Sequence, residues 1–316
     1  MQQDKVKIKL SGVAETLLPP LWGRAQLSKE YGSLFYDEKA IELAEKIDYD
    51  LSTSDVPLMG IVFNVFRKLN LLGPFTLRVK QFDDKIKAYI TEHPRASIVN
   101  IGAGLDTTFY RVDNGLIHWY DLDLPAVIDI RRQLLTEPDR VTYIAKSLFD
   151  PSWCTDINTE DGVFMIAEAV LLIFEESEIK QFFSMLADNF PDGEIVFDAP
   201  SKPLFTLLGS DLEALFEVFP QEQRDAIQAA LVDEIKNWLE RAPQGQKDIG
   251  FDIVATLIKW TLEDANEITK WDPRITVLDQ FPMFKNILRD SLSADMRRFM
   301  DYSDKIRIFN IFHLRV

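Results

Sequence analysis

From His93-Pro94 onward the chain alternates short apolar runs with stretches of helix length, and this rhythm restricts the fold more than any other feature. The runs are Ala96–Ile101, Ile117–Tyr120, Val141–Ala145, Val163–Ala167 and Ile195–Phe197. Continuous apolar character over so few residues marks strands buried on both faces, and the intervening lengths suit crossover helices. The expectation is therefore an α/β fold built on a mostly parallel, doubly wound sheet. The clearest connector spans Glu178–Asn189. It carries Ile179, Phe182, Phe183 and Leu186 on one face and is closed by Phe190-Pro191-Asp192-Gly193. Strand signals resume at Ile275–Leu278 and Ile306–Val316, and no helix follows the last run. A hairpin-like final pair with an antiparallel last strand accounts for that, and completes seven strands.

Two other regions break the rhythm. Residues 1–92 read as a helical arm, with Ile41, Leu43, Ala44 and Ile47 at roughly helical spacing and a second helical stretch, Arg67–Ile90, interrupted by Gly73-Pro74. Residues 93–316 then form the sheet domain. Within it, residues 200–262 read as an inserted helical cap, because Ile227, Leu231, Ile235 and Leu239 recur every four residues. The cap is expected to close over a substrate site.

Charge and cysteine content narrow the function classes. With 51 acidic and 35 basic side chains among 316 residues, the net charge of −16 opposes binding to nucleic-acid phosphates or anionic lipid. A lone Cys154 cannot form an internal disulfide, which fits a reducing compartment. The longest weakly polar run, Gly162–Phe174, has 13 residues and contains Glu168, short of a membrane span. A cytoplasmic protein acting on a small molecule is expected. His93, His118 and His313 are scattered, with no cluster at metal-ligand spacing. His118, inside a strand run, reads as a core histidine, and Cys154 as a partly buried thiol without a catalytic partner.

The chemistry collects where strands end. The first run leads into Gly102-Ala103-Gly104-Leu105-Asp106-Thr107, with a helix beginning within Asp106–Arg111. Glycines there let a ligand approach the main chain beside a helix N-terminus. Thr107 stands where a dinucleotide fingerprint has its third glycine, which weakens a nicotinamide reading. At the end of the second strand Asp121 and Asp123 lie 19 and 21 residues beyond Gly102, the offset of a ribose-binding acid. At most one of the two need touch a ribose. Glu168 closes the apolar run Val163–Ala167, so it either serves a pocket or pairs with an arginine.

Together with these, Tyr120-Asp121-Leu122-Asp123-Leu124-Pro125, Ala167-Glu168-Ala169-Val170-Leu171, Phe190-Pro191-Asp192-Gly193, the upstream Arg24-Ala25 and Leu34-Phe35-Tyr36-Asp37, the isolated Arg78 and Lys259-Trp260 form an ordered series. The series resembles the leucine carboxyl methyltransferase family, including its bacterial polyketide O-methyltransferases. The likeness implies a class I methyltransferase fold and S-adenosyl-L-methionine as cofactor. It implies that Arg78 pairs with the cofactor's carboxylate, that Gly102, Ala103 and Gly104 pass under its methionine portion, that Asp123 holds the ribose and that Glu168 lies near the methionyl amine. Ser147-Leu148 takes the place of the family's adenine-recognising Asp-Leu pair, and Ala169 stands where the family usually has Gly, a change read as tighter packing.

A methyl group on a sulfonium is already activated, so the expected reaction is in-line transfer to a carboxylate or hydroxyl of a small molecule such as a polyketide-like metabolite. A carboxylate acceptor is ionised at neutral pH and needs no base. Arg24 is its candidate cationic partner, and Trp260 a second acceptor-side candidate. A nicotinamide-dependent oxidoreductase and a non-catalytic nucleoside-binding protein of the same fold are the alternatives.

Overall fold

The computed structural model describes residues 6–7, 17–48, 64–65, 76–202, 221–241 and 258–316. The chain separates into two compact units, residues 1–77, 206–256 and 288–302 in one, and 78–205, 257–287 and 303–316 in the other. Gly73-Pro74, Arg67–Phe75 and most of the expected cap, residues 203–220 and 242–257, lie outside the described residues.

The larger unit holds a seven-stranded sheet. Its strands are β1 Ser97–Ile101, β2 His118–Asp123, β3 Val141–Ala145, β4 Val163–Ala167, β5 Glu194–Pro200, β6 Thr276–Pro282 and β7 Phe309–Arg315, in the spatial order β3-β2-β1-β4-β5-β7-β6. The first five run parallel, and β7 enters antiparallel between β5 and β6. The order reverses between β1 and β4, so the carboxyl ends of these strands open a crevice at the switch point.

Every residue of β1 and β4 is buried, as continuous apolar runs require. Alternate side chains feed two cores. Val99, Met165, Phe197 and Phe312 pack on one face with Phe182 and Phe183 of the helix Glu176–Asn189. Ile98, Phe164, Val196 and Ile311 pack on the other with Phe82 and Ile86 of the helix Val79–Glu92. Each fully buried aromatic side chain contributes about 1.5–3 kcal/mol.

The connector helix begins two residues before its apolar spacing indicates, at Glu176, because Glu175 and Glu178 form a capping box. At the terminus a helix, Ala294–Ile306, takes the first residue of the expected last strand, and Arg307 turns left-handed (φ 52°) before β7 starts at Phe309. His118 is exposed at the head of β2 and is not a core histidine, since the buried part of that strand starts at Trp119. Cys154 is buried more fully than expected, and burial pushes its thiol up to about 11, so it stays protonated at neutral pH.

In the smaller unit the helices Leu18–Glu30 and Glu38–Lys46 meet through a buried polar joint. Arg24 lies 3.6 Å from Asp37, Asp37 caps the second helix by accepting from Ala40 N, and Ser28 Oγ donates to the Arg24 carbonyl. Its described part also includes a two-residue parallel pair, Val6–Lys7 with Ile47–Asp48, and the helix Gln221–Arg241. In that helix Ile227 and Glu234 are buried, while Leu231 and Ile235 are half-buried. No described helix is long and apolar enough to cross a membrane.

Candidate functional site

The site is assembled at the carboxyl ends of β2, β1, β4 and β5. After β1 the chain turns through Gly102 (φ 67°), whose N–H donates to the Leu122 carbonyl at 2.8 Å, and through Gly104 (φ 45°). A Cβ on Gly102 would stand 2.4 Å from a Val170 methyl, so both conformation and space require glycine there. Gly104 N donates to Asp123 Oδ2 at 2.8 Å, and Leu124 N donates to Asp123 Oδ1 at 2.7 Å. Each carboxylate oxygen thus keeps a lone pair. Two acceptor positions side by side match the two hydroxyls of a ribose.

Asp121, which the strand–turn–acid spacing alone admits beside Asp123, is committed elsewhere. It is 1% exposed and accepts from Arg131 Nη2 at 2.5 Å, Trp119 Nε1 at 2.8 Å and Asn100 Nδ2 at 3.1 Å. Desolvation pushes its carboxyl above the ordinary range, while Arg131, Trp119 and Asn100 pull against that shift. Asp123 is only partly exposed as well, and burial raises its carboxyl despite the two backbone donors.

Arg131 is a residue that sequence reasoning missed. Its Nη1 donates to the carbonyls of Gly104 and Asp106, both at 2.9 Å, and to that of Ala103 at 3.3 Å. One guanidinium therefore holds the glycine loop against the end of β2. Arg111 Nε and Nη2 clamp Asp83 at 2.8 and 2.9 Å, tying the helix Val79–Glu92 to the turn that follows the loop.

Across the switch point, Arg78 Nη2 lies 3.0 Å from Glu168 Oε1, and Arg78 Nε donates to Asp198 Oδ2 at 2.8 Å. Burial opposes the Arg78 charge, but Glu168 and Asp198 outweigh it and raise its pKa. Glu168 thus has the arginine partner that a carboxylate ending a buried run requires. Asp198, fully buried near the end of β5, also accepts from Ala169 N at 2.6 Å. It went unrecognised although it obeys the rule applied to Glu168, an acid closing an apolar run.

Ala169 has φ 55° and is exposed. The substitution at this place therefore acts through backbone conformation, not through tighter packing. A left-handed residue with a Cβ costs ~1–2 kcal/mol, against ~0.5–1 kcal/mol of extra chain entropy for glycine. Ala169→Gly is expected to raise the urea midpoint by the equivalent of about 0.5–1 kcal/mol; a lower midpoint would show that the turn is not strained.

Ser147 is half-buried after β3 and accepts from Phe149 N at 3.3 Å, while the buried Leu148 offers its carbonyl to Trp153 Nε1 at 3.0 Å. Ser147 Oγ keeps a second lone pair for a ligand amino group. Trp260 is 4% exposed, stacked on Phe197 at 6.2 Å within the core. Arg24 belongs to the smaller unit, where Asp37 balances it.

Residues 21–186, just over half of the chain, match the family described as leucine carboxyl methyltransferase. Among curated proteins, the tetracenomycin polyketide synthesis O-methyltransferase TcmP of Streptomyces glaucescens is 27% identical over 193 residues, covering 61% of this chain and 67% of that protein. The S-adenosyl-L-methionine-dependent methyltransferase dpfgK of Gibberella zeae is 26% identical over 220 residues, 65% of this chain and 72% of its own. A solved structure, the magnesium protoporphyrin IX methyltransferase ChlM of Synechocystis with SAH bound, covers 80% of this chain and 93% of its own at 13% identity and a TM-score of 0.43.

Proposed function

The chain belongs to the leucine carboxyl methyltransferase family, and from that premise we propose that it is an S-adenosylmethionine-dependent O-methyltransferase acting on a carboxylate or hydroxyl of a small molecule. The observation that carries the cofactor assignment is the Gly104–Asp123 bond, which presents two free carboxylate lone pairs at the switch point beside a glycine turn. The adjoining cation and anion, Arg78 and Glu168, suit the carboxylate and ammonium of an α-amino acid. Nucleoside and amino-acid recognition thus lie along one sheet edge, which fits the methionine-bearing nucleoside.

When bound, that cofactor supplies an activated methyl group for in-line displacement. The residues named here bind and orient. Asp123 takes the ribose hydroxyls, Gly102, Ala103 and Gly104 line the methionine portion, and Ser147 and Leu148 face the adenine. Arg78 and Glu168 take the amino-acid end. An ionised acceptor carboxylate requires no proton transfer, so alignment and exclusion of water are the contributions left to the protein.

The test is a screen of small carboxylic acids and phenols with methyl-labelled S-adenosylmethionine. A product whose label is released as methanol by mild alkali is an ester and supports a carboxylate acceptor, whereas an alkali-stable ether supports a phenol. Failure of the protein to bind either S-adenosylmethionine or S-adenosylhomocysteine in calorimetry would overturn the assignment.

A further inference from the structure

The Arg78–Glu168 pair has a sealed side and an open side. The side chains of Arg78 and Glu168 are 14% and 17% exposed, and that of Asp198 is 0% exposed. Asp198 divides its carboxylate between two loads. Oδ2 accepts from Arg78 Nε at 2.8 Å, and Oδ1 accepts from the N–H of Ala169, the left-handed residue directly after Glu168, at 2.6 Å. One buried acid therefore sets both the guanidinium and the turn that carries the facing carboxylate.

Resting on the cofactor reading above, we infer that Asp198 is a positioning residue for the cofactor's amino-acid end, holding Arg78 and Glu168 at the spacing at which a zwitterion meets its two partners. The geometry distinguishes permanent from exchangeable contacts. The Arg78 Nε edge and the Ala169 N–H are held from the closed side, so they persist whatever occupies the open side. The Nη2 edge of Arg78 faces Glu168 and is the part that can exchange one carboxylate for another. An arriving α-carboxylate takes that edge, and Glu168 turns its charge to the α-ammonium, so each buried charge keeps a partner throughout. Without Asp198 the guanidinium loses the acceptor on its Nε edge, and the turn after Glu168 loses the bond that offsets its backbone strain.

Two ligands separate positioning from mere support of the fold. S-adenosylhomocysteine carries the amino-acid group, and 5′-methylthioadenosine shares the nucleoside and thioether but lacks it. Calorimetry on the full chain should give an S-adenosylhomocysteine Kd raised about 10-fold in Asp198→Asn, the worth of one charge-assisted hydrogen bond, with the methylthioadenosine Kd unchanged. Adding Ala169→Gly to Asp198→Asn should recover part of any lost thermal stability without recovering that affinity. Equal weakening of both ligands, recovery of affinity with stability, or no change in either Kd would each overturn the inference. A wild-type chain that binds neither ligand would instead overturn the cofactor reading, so the two failures are distinguishable.

Discussion

Arg131→Met is expected to lower stability by about 3–5 kcal/mol near neutral pH, because it leaves Asp121 as a buried charge without its cation. Asp121 and Arg131 are 1% and 3% exposed, and the Trp119 and Asn100 bonds that remain are neutral donors, too weak to replace a guanidinium. The variant should also show a stronger pH response, of the sign that the raised Asp121 carboxyl already gives the wild type. Asp121 escapes its unpaired state by taking a proton, so its folded pKa rises further above the unfolded value. A carboxyl raised in this way contributes stability at low pH that is lost as pH rises through the folded pKa. Urea unfolding should accordingly show the variant recovering towards mildly acidic pH. Adding Asp121→Leu removes the stranded charge and should recover most of the loss, since buried pairs are replaceable by apolar groups. It should not recover ligand affinity, because the carbonyls of Ala103, Gly104 and Asp106 still lack their common donor. A single variant as stable as wild type at neutral pH would refute the role given to this pair.

Asp123→Ala should weaken S-adenosylhomocysteine roughly 100-fold or more, because two charge-assisted hydrogen bonds to a ribose are lost at once. The loss of fold should be small by comparison. Asp123 is at the rim, and its two donors, Gly104 N and Leu124 N, can turn to water. Affinity in the wild type should also decline as pH falls through the raised Asp123 pKa, since the carboxylate is the accepting form. Asp123→Asn should flatten that decline. Undiminished affinity in Asp123→Ala would remove Asp123 from the site. The contrast with Arg78 is instructive: both lie on the ligand edge, but Arg78 neutralises the buried Asp198, so its replacement by Ala must cost stability as well as binding.

The strand–turn–acid pattern was readable because each part is local. Gly102 and Gly104 supply the backbone freedom of the turn they occupy, and Asp123 follows its strand directly. Arg131 gave a weaker signal: in the helix Pro125–Leu134 it stands three residues from both Ile128 and Leu134, on the apolar face, where its neighbour Arg132 does not, but nothing local tells which groups it meets. The fold places one inside and the other at the surface, where Arg132 faces Asp129. Ala169 is similar: its residue type gives no hint of φ 55°, a conformation held by an acid 29 residues away.

The five parallel strands and the helix between β4 and β5 follow from the order of residues, because burial on both faces demands uninterrupted apolar runs. The insertion of β7 between β5 and β6, the burial of Asp121 against Arg131 and the joining of Arg78 to Asp198 across 120 residues required the folded chain. Each depends on which distant groups meet in a desolvated place, and there the partner, not the residue type, determines whether a charge is a brace or a binding group.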